Sequence, residues 1–163
     1  MTMVRWLFRV LVGFAVAIGL LFVVARFHDG PLGPIPGGAL VAGELVTQPV
    51  TDWSFVKDVP EIELQLVSQN RSRTVWILEQ GGEAFIPCST SFPPGKTWYR
   101  LAAQDGRAIL RIQGRRYPVM LTRKEDPALG GLLRQEVLRK YKNVPPGESE
   151  AWVFLISSRP ADK

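Results

Sequence analysis

Residues 96–141 have the sequence KTWYRLAAQDGRAILRIQGRRYPVMLTRKEDPALGGLLRQEVLRKY, which carries the clearest strand and helix signals in the chain. Two apolar runs, residues 108–112 and 116–123, flank Gly114. A glycine there supplies the positive φ that a tight turn needs, so the pattern predicts a β-hairpin. In the second run, apolar side chains alternate onto one face of the strand, as expected when one face is buried. They are Tyr117, Val119 and Leu121.

A helix is predicted on each side of this hairpin. The first covers residues 96–104 and follows the sequence PPG. The second follows Asp126 and Pro127, an N-cap residue and a proline at the first helical position. Arg139 and Lys140 near its end complement the helix dipole. Its predicted apolar stripe consists of Leu129, Leu132, Leu133, Val137 and Tyr141.

Further strands are predicted on both sides of this region. Residues 73–78 and 84–88 flank the sequence QGGE, whose two glycines favour a second hairpin. Residues 62–67 and 152–157 are also predicted strands. The chain is therefore expected to form a mainly β, α+β domain, with antiparallel strands and two helices.

The order of these elements resembles the deazaflavin-dependent nitroreductase family, within the pyridoxamine-phosphate-oxidase-like split β-barrels. In that family a helix bearing Trp-Tyr leads into a strand, a tight turn, a second strand ending near an acidic residue and proline, and a helix that closes with tyrosine. With SRTVWILEQGGEAFIPCS, residues 72–89, the resemblance covers about 100 residues. It implies an antiparallel split β-barrel that binds flavin mononucleotide or a deazaflavin, forms a homodimer and transfers electrons to a small-molecule acceptor.

The resemblance also implies a cofactor site. Arg71, Ser72 and Arg73 on a predicted turn, with Lys96 at a helix N-terminus, would hold the cofactor phosphate, because fixed positive groups and helix N-termini bind anions. Its two aromatic residues would flank the ring. The alternative is that the basic residues form a solvated turn and the aromatic residues fill the core. The six residues are Arg71, Ser72, Arg73, Lys96, Trp98 and Tyr99.

One departure from the family pattern bears on this site. Family members place a glycine-rich loop before the Arg-Thr strand, where it meets the cofactor phosphate. Here SQNRSRTV, residues 68–75, replaces that loop, and it retains Arg71 and Arg73 but has no glycine. This departure favours an alternative function, in which the chain is a degenerate split barrel without a cofactor that serves as a non-catalytic envelope module for binding or assembly.

The sequence has one cysteine, Cys88, and one histidine, His28. A single cysteine excludes an intrachain disulfide and the usual cysteine-based metal cage. His28 lies beside the apolar N-terminal segment, so a Ser-His-Asp triad or a multi-histidine metal site in the domain is also excluded. No metal cofactor is expected. Cys88 is interpreted as either a redox thiol or a small buried side chain, with burial favoured.

An apolar N-terminal segment precedes the domain. Residues 6–25, WLFRVLVGFAVAIGLLFVVA, would span about 30 Å as a helix, the thickness of the hydrocarbon layer. Arg5 and Arg9 lie before the uncharged part, which favours a cytoplasmic N-terminus and a domain on the non-cytoplasmic side. The alternative is a signal peptide cleaved after Ala25, with a secreted domain. The expected organisation is an anchor at 1–26, a Pro/Gly-rich linker at 27–38 that acts as an extended tether, and a domain at 39–163.

The formal net charge is +5. This charge suits anionic lipid, nucleotide phosphate and nucleic acid equally. Because the sequence contains no recognisable nucleic-acid reader motif, no nucleic-acid partner is expected. The leading hypothesis is a single-pass, membrane-anchored split barrel that binds a flavin or deazaflavin and acts as an oxidoreductase on a small acceptor. The alternative is the non-catalytic envelope module.

Overall fold

The computed structural model describes residues 2–91, 93–141 and 151–160, and the side chains of all of these except Thr2. Within these residues, three α-helices, eight β-strands and one short 3₁₀ helix follow one another along the chain. The elements are α1 (Thr2–Phe27), β1 (Glu44–Leu45), the 3₁₀ helix (Ser54–Val56), β2 (Glu61–Leu66), β3 (Arg71–Trp76), β4 (Leu78–Gln80), β5 (Glu83–Ser89), α2 (Trp98–Gln104), β6 (Arg107–Ile112), β7 (Arg115–Lys124), α3 (Pro127–Lys140) and β8 (Ala151–Ser158).

The strands form one curved sheet in the order β3-β2-β6-β7-β8-β5-β4, and all neighbours along this path are antiparallel. Strand β1 pairs in parallel with the start of β7. The two ends of the path, β3 and β4, are separated in the chain by Ile77 alone. One residue therefore joins the opposite edges of the sheet, which bends round into a barrel that is split between these strands. The expected antiparallel split barrel is confirmed.

Both predicted hairpins are present. Gly81 and Gly82 have φ of 63° and 83° and connect β4 to β5. Gln113 and Gly114 have φ of 49° and 79° and connect β6 to β7. These left-handed conformations match the turns whose twist suits a two-residue hairpin loop.

The predicted strand at residues 73–78 is wrong in one respect, because it is two strands. Residues up to Trp76 pair with β2, and residues from Leu78 pair with β5. Ile77 is fully buried at the junction. The apolar pattern is continuous across Ile77 because both strands contribute to the core, so the pattern alone gives no sign of the break.

The core fills the barrel. Side chains of β2 and β7 alternate between the interior and the outer face, and the interior positions of β7 are the predicted Tyr117, Val119 and Leu121. Leu64 of β2 and Phe154 of β8 are completely buried among them. Helix α2 contributes aromatic side chains to the same core.

Helix α3 covers the outer face of β4 and β5. Its N-cap is Asp126, whose carboxylate accepts a hydrogen bond from the Ala128 backbone N–H at 2.9 Å, as predicted. Leu133 packs against Leu78 and Phe85 in a small second core. The predicted apolar stripe is wrong at Leu132, which is 47% exposed because it lies on the solvent side of α3.

Helix α1 is the candidate membrane span. Residues Met3–Phe27 have a mean hydropathy of 2.6 in their most apolar window, and none of that window is buried by the rest of the protein. The helix is long and apolar enough to cross a membrane, and an N-terminal signal sequence has the same properties.

The Pro/Gly-rich segment after α1 is not the extended tether expected from its composition. The Gly37 and Ser72 backbones exchange hydrogen bonds of 3.0 and 3.3 Å, and the Thr74 hydroxyl donates to the Gly33 carbonyl at 3.1 Å. Gly37 is buried. At Gly37 the segment therefore pairs with the free edge of β3. Gly37 has to be glycine because a Cβ there would collide with the backbone of Gly30 in the same segment.

Candidate functional site

Arg73 points into the barrel. In the register of β2 and β3, Arg73 lies opposite Leu64 and Arg71 lies opposite Leu66. Both leucines are completely buried in the barrel core. Because directly opposite residues share a face of the sheet, both arginines belong to the interior face, Arg73 within the barrel and the exposed Arg71 at its end.

The Arg73 guanidinium is held by two neighbours. Its Nη2 donates to the Gln69 side-chain oxygen at 2.8 Å, and its central carbon lies 5.6 Å from the ring centroid of Trp98, within range of a cation–π interaction. Its Nε–H is buried and has no hydrogen-bond partner among the described residues. A buried donor without a partner costs about 1–3 kcal/mol, so the site retains an unused donor.

The electrostatics of Arg73 are unusual for an arginine. Burial and, to a smaller extent, the positive charge of Arg71 lower its pKa to about 10, although Cys88 acts in the opposite direction. Arg73 thus stays charged at neutral pH. Neither of the groups that act on it is a carboxylate. A partly buried cation without a carboxylate partner is costly, and a bound anion would offset that cost.

Arg71, Ser72 and Arg73 are the first residues of β3, so the prediction that they form a turn is wrong. The strand alternates its side chains, which separates Ser72 from the two arginines. The Ser72 hydroxyl is completely buried on the outer face and has no hydrogen-bond partner among the described residues. The two arginines and the serine therefore cannot hold one phosphate together.

The other predicted site residues lie around α2. Trp98 is 7% exposed, and its ring contacts Arg73 and Phe154. Tyr99 is 5% exposed and meets Trp152 edge-on, with centroids 5.0 Å apart. Lys96 is half-buried and lies two residues before α2. The structure brings Arg71, Arg73 and Trp98 together and turns the Tyr99 ring towards Trp152.

Cys88 lies close enough to Arg73 to affect its pKa. It is 2% exposed on β5, which approaches β3 across the split, and its Sγ donates to the Ser89 carbonyl at 3.4 Å. Burial of a thiol disfavours the reactive thiolate. This position fits the favoured interpretation of Cys88 as a buried side chain.

Two surface grooves lie elsewhere. One, of about 310 Å³, lies between the end of β7, the start of α3 and the start of β8. Within it, the Arg123 guanidinium lies 3.4 Å from the ring centroid of Trp152. The other, of about 670 Å³, lies beside the 3₁₀ helix and the start of β2. Neither contains any of the six predicted site residues. The described residues include no group of His, Cys, Asp and Glu side chains that could hold a metal ion.

Sequence reasoning missed Gln69 and a cluster around Arg111. Gln69 reaches Arg73 because the turn between β2 and β3 folds back, which composition does not reveal. Arg111 pairs with Asp29 and Glu63 on the outer face of the sheet. Glu63 lies opposite Arg111 in the register of β2 and β6, so a correct strand pairing would have found that part of the cluster.

Comparison with known proteins assigns no family to the chain. No family model matches the chain, and no curated protein matches it. One solved structure that matches is a protein from Listeria innocua, provisionally described as a pyridoxamine 5'-phosphate oxidase. The two chains are 12% identical, the TM-score is 0.46, and the match covers 67% of this chain and 90% of that one.

Proposed function

We propose that the barrel binds a phosphate-bearing flavin or deazaflavin beside Arg71 and Arg73, and that the chain is a membrane-anchored oxidoreductase of a small acceptor. The observation that carries this proposal is the Arg73 guanidinium. It is partly buried, its Nε–H has no partner among the described residues, and the groups that shift its pKa include no carboxylate. Arginine forms strong charge-assisted hydrogen bonds with phosphate.

The residues present fit the phosphate end of such a cofactor. Arg73 offers a directional donor in a region of low dielectric, and the exposed Arg71 adds a second positive charge at the barrel end. When bound, a flavin supplies the electron or hydride transfer, whereas the protein supplies binding and orientation. The role of this chain would be to fix the phosphate and so position the ring.

The predicted aromatic residues, Trp98 and Tyr99, do not form an open site for the cofactor ring. Trp98 and Tyr99 are almost fully buried. The Trp98 ring contacts Arg73 and Phe154, and the Tyr99 ring contacts Arg100 and Trp152. A ligand ring could lie between them only if the core opened. We therefore assign Trp98 to the support of Arg73 and Tyr99 to the core.

Fluorescence titration of the detergent-purified full-length protein with flavin mononucleotide, and separately with a reduced deazaflavin, tests this proposal. We expect saturable binding of one of the two. Arg73→Met should weaken it about ten- to hundredfold, because one charge-assisted hydrogen bond is lost. The matched control is Arg134→Met, since Arg134 is exposed on α3. It removes the same charge and should leave the affinity unchanged.

A non-catalytic envelope module is the second candidate, and the burial of Trp98 and Tyr99 favours it. In that case the barrel would serve binding or assembly through its basic surface. Failure of a folded sample to bind either ligand would sink the cofactor proposal and leave this one. Equal weakening by Arg73→Met and Arg134→Met would show that binding reflects overall charge rather than a site.

A further inference from the structure

The last turn of α1 is packed against the domain. Ala25 is completely buried, although its neighbours Val23 and Val24 are 57% and 60% exposed. The Gly38 N–H donates to the His28 carbonyl at 2.9 Å. A methyl group on Gly38 would lie 2.9 Å from the carbonyl oxygens of Arg26 and His28, so only glycine fits this close approach without a shift.

A carboxylate fixes this arrangement. Asp29, two residues after α1, accepts hydrogen bonds from the Val41 and Ala42 backbone N–H groups at 2.9 and 3.0 Å. It also accepts from Arg111 Nη1 at 2.9 Å, and Arg111 is paired with Glu63 of β2. Partial burial raises the pKa of Asp29, but these donors outweigh it and hold the pKa below its ordinary value.

The same contacts set the height of the domain above a membrane. As a helix of 26 residues, α1 is about 39 Å long, more than the ~30 Å of the hydrocarbon layer. Its uncharged stretch ends at Ala25 and is followed by Arg26, which belongs in the headgroup region. Because Gly38 lies against the backbone of Arg26 and His28, the segment around Gly38 also lies at the level of the headgroups.

We propose that Phe27 and Val41 form a juxtamembrane rim that contacts the phospholipid interface and holds the domain directly on the bilayer. Phe27 is 83% exposed and Val41 is 67% exposed, and the hydrogen bonds of Asp29 tie Val41 to the end of α1. Apolar side chains at this depth gain free energy by entering the boundary between headgroups and acyl chains. The inference depends on α1 staying attached to the chain and is independent of any cofactor.

The test uses full-length protein reconstituted into phosphatidylcholine vesicles that carry a headgroup nitroxide quencher in both leaflets. An environment-sensitive fluorophore is attached through Val41→Cys or, as a control, through Leu138→Cys. Leu138 is 61% exposed on α3. This helix covers β4 and β5, whereas the segment after α1 contacts β2, β3 and β6. Cys88 is 2% exposed, and the labelled parent chain measures its background.

We expect quenching at position 41 to be several-fold steeper than at position 138, with a blue-shifted emission at position 41 only. Equal quenching at the two positions would overturn the proposal, because it would mean that the domain has no preferred face towards the bilayer. Failure of the intact chain to float with the vesicles would also overturn the proposal, because it would show that α1 does not anchor the protein in the bilayer. Neither result bears on flavin binding, which is measured separately in detergent.

Discussion

Arg73 and Arg111 occupy opposite faces of the same sheet, and their surroundings differ in one decisive respect. The side chain of Arg111 is 13% exposed and pairs with the carboxylates of Asp29 and Glu63, which raise its pKa. Arg73 is also partly buried, but burial and the charge of Arg71 lower its pKa to about 10. The outer arginine has carboxylate partners, whereas no described residue supplies a carboxylate to the inner arginine.

This difference separates a structural arginine from a ligand-binding one. Removing one member of a partly buried ion pair leaves an uncompensated charge, so a paired arginine is needed for stability. An arginine with an unused donor costs free energy in the unliganded protein, and such a cost is typical of functional sites. We therefore expect substitution of Arg111 to lower stability and substitution of Arg73 mainly to weaken ligand binding.

The largest expected effect is on the outer face. Arg111→Met leaves Asp29 and Glu63 without their cation and should lower the free energy of unfolding by about 2–4 kcal/mol. Chemical denaturation in detergent, followed by tryptophan fluorescence, measures this change. A loss below about 0.5 kcal/mol, the usual size of a surface substitution, would mean that the pairs are merely surface contacts.

A smaller effect is expected on the inner face. Arg73→Met removes the partly buried cation and its unused donor but keeps most of the side-chain volume, so the free energy of unfolding should change by no more than about 1 kcal/mol. The same denaturation experiment applies. A destabilisation as large as that of Arg111→Met would show that the bond to Gln69 and the contact with Trp98 make Arg73 structural, and the distinction between the two arginines would fail.

The smallest expected effect is the response to acid. The folded-state pKa of Asp29 lies below its ordinary value of 3.8. Its stabilisation is therefore complete well above that value and is lost as the pH falls through the folded-state pKa. A protonated Asp29 carries no charge for Arg111 to neutralise. The difference in the free energy of unfolding between the parent chain and Arg111→Met should therefore become smaller below about pH 4. A difference that stays constant from pH 6 to about pH 3 would contradict the role assigned to Asp29.

Local patterns were enough to predict most of the fold. The hairpin turns depend on Gly81, Gly82 and Gly114, and glycines between apolar runs can be recognised in the sequence. The N-cap at Asp126 can be recognised in the same way, because a proline follows it. The break at Ile77 was missed because both strands bury apolar side chains, so only the pairing of β3 and β4 with different partners reveals it.

The candidate site was less predictable, because its contacts are distant in the chain. Ser72 was grouped with its neighbours as part of a turn, yet strand alternation places it on the opposite face. The surroundings of Arg73 come from the turn before β3, from α2 and from β5, which only the closed barrel brings together. The resemblance drew attention to Arg73, but the unused Nε–H donor is visible only in three dimensions.

The Nε–H of Arg73 has no acceptor among the described residues, and a ligand phosphate would supply one. The most direct test is a ¹H–¹⁵N spectrum of the arginine Nε groups in the detergent-solubilised full-length protein, with the Arg73 and Arg111 signals assigned from Arg73→Lys and Arg111→Lys. On addition of flavin mononucleotide or a reduced deazaflavin, we predict that the Arg73 signal moves downfield while the Arg111 signal stays in place, because Arg111 is already paired with Asp29 and Glu63. An Arg73 signal unmoved by saturating amounts of both ligands would contradict the account.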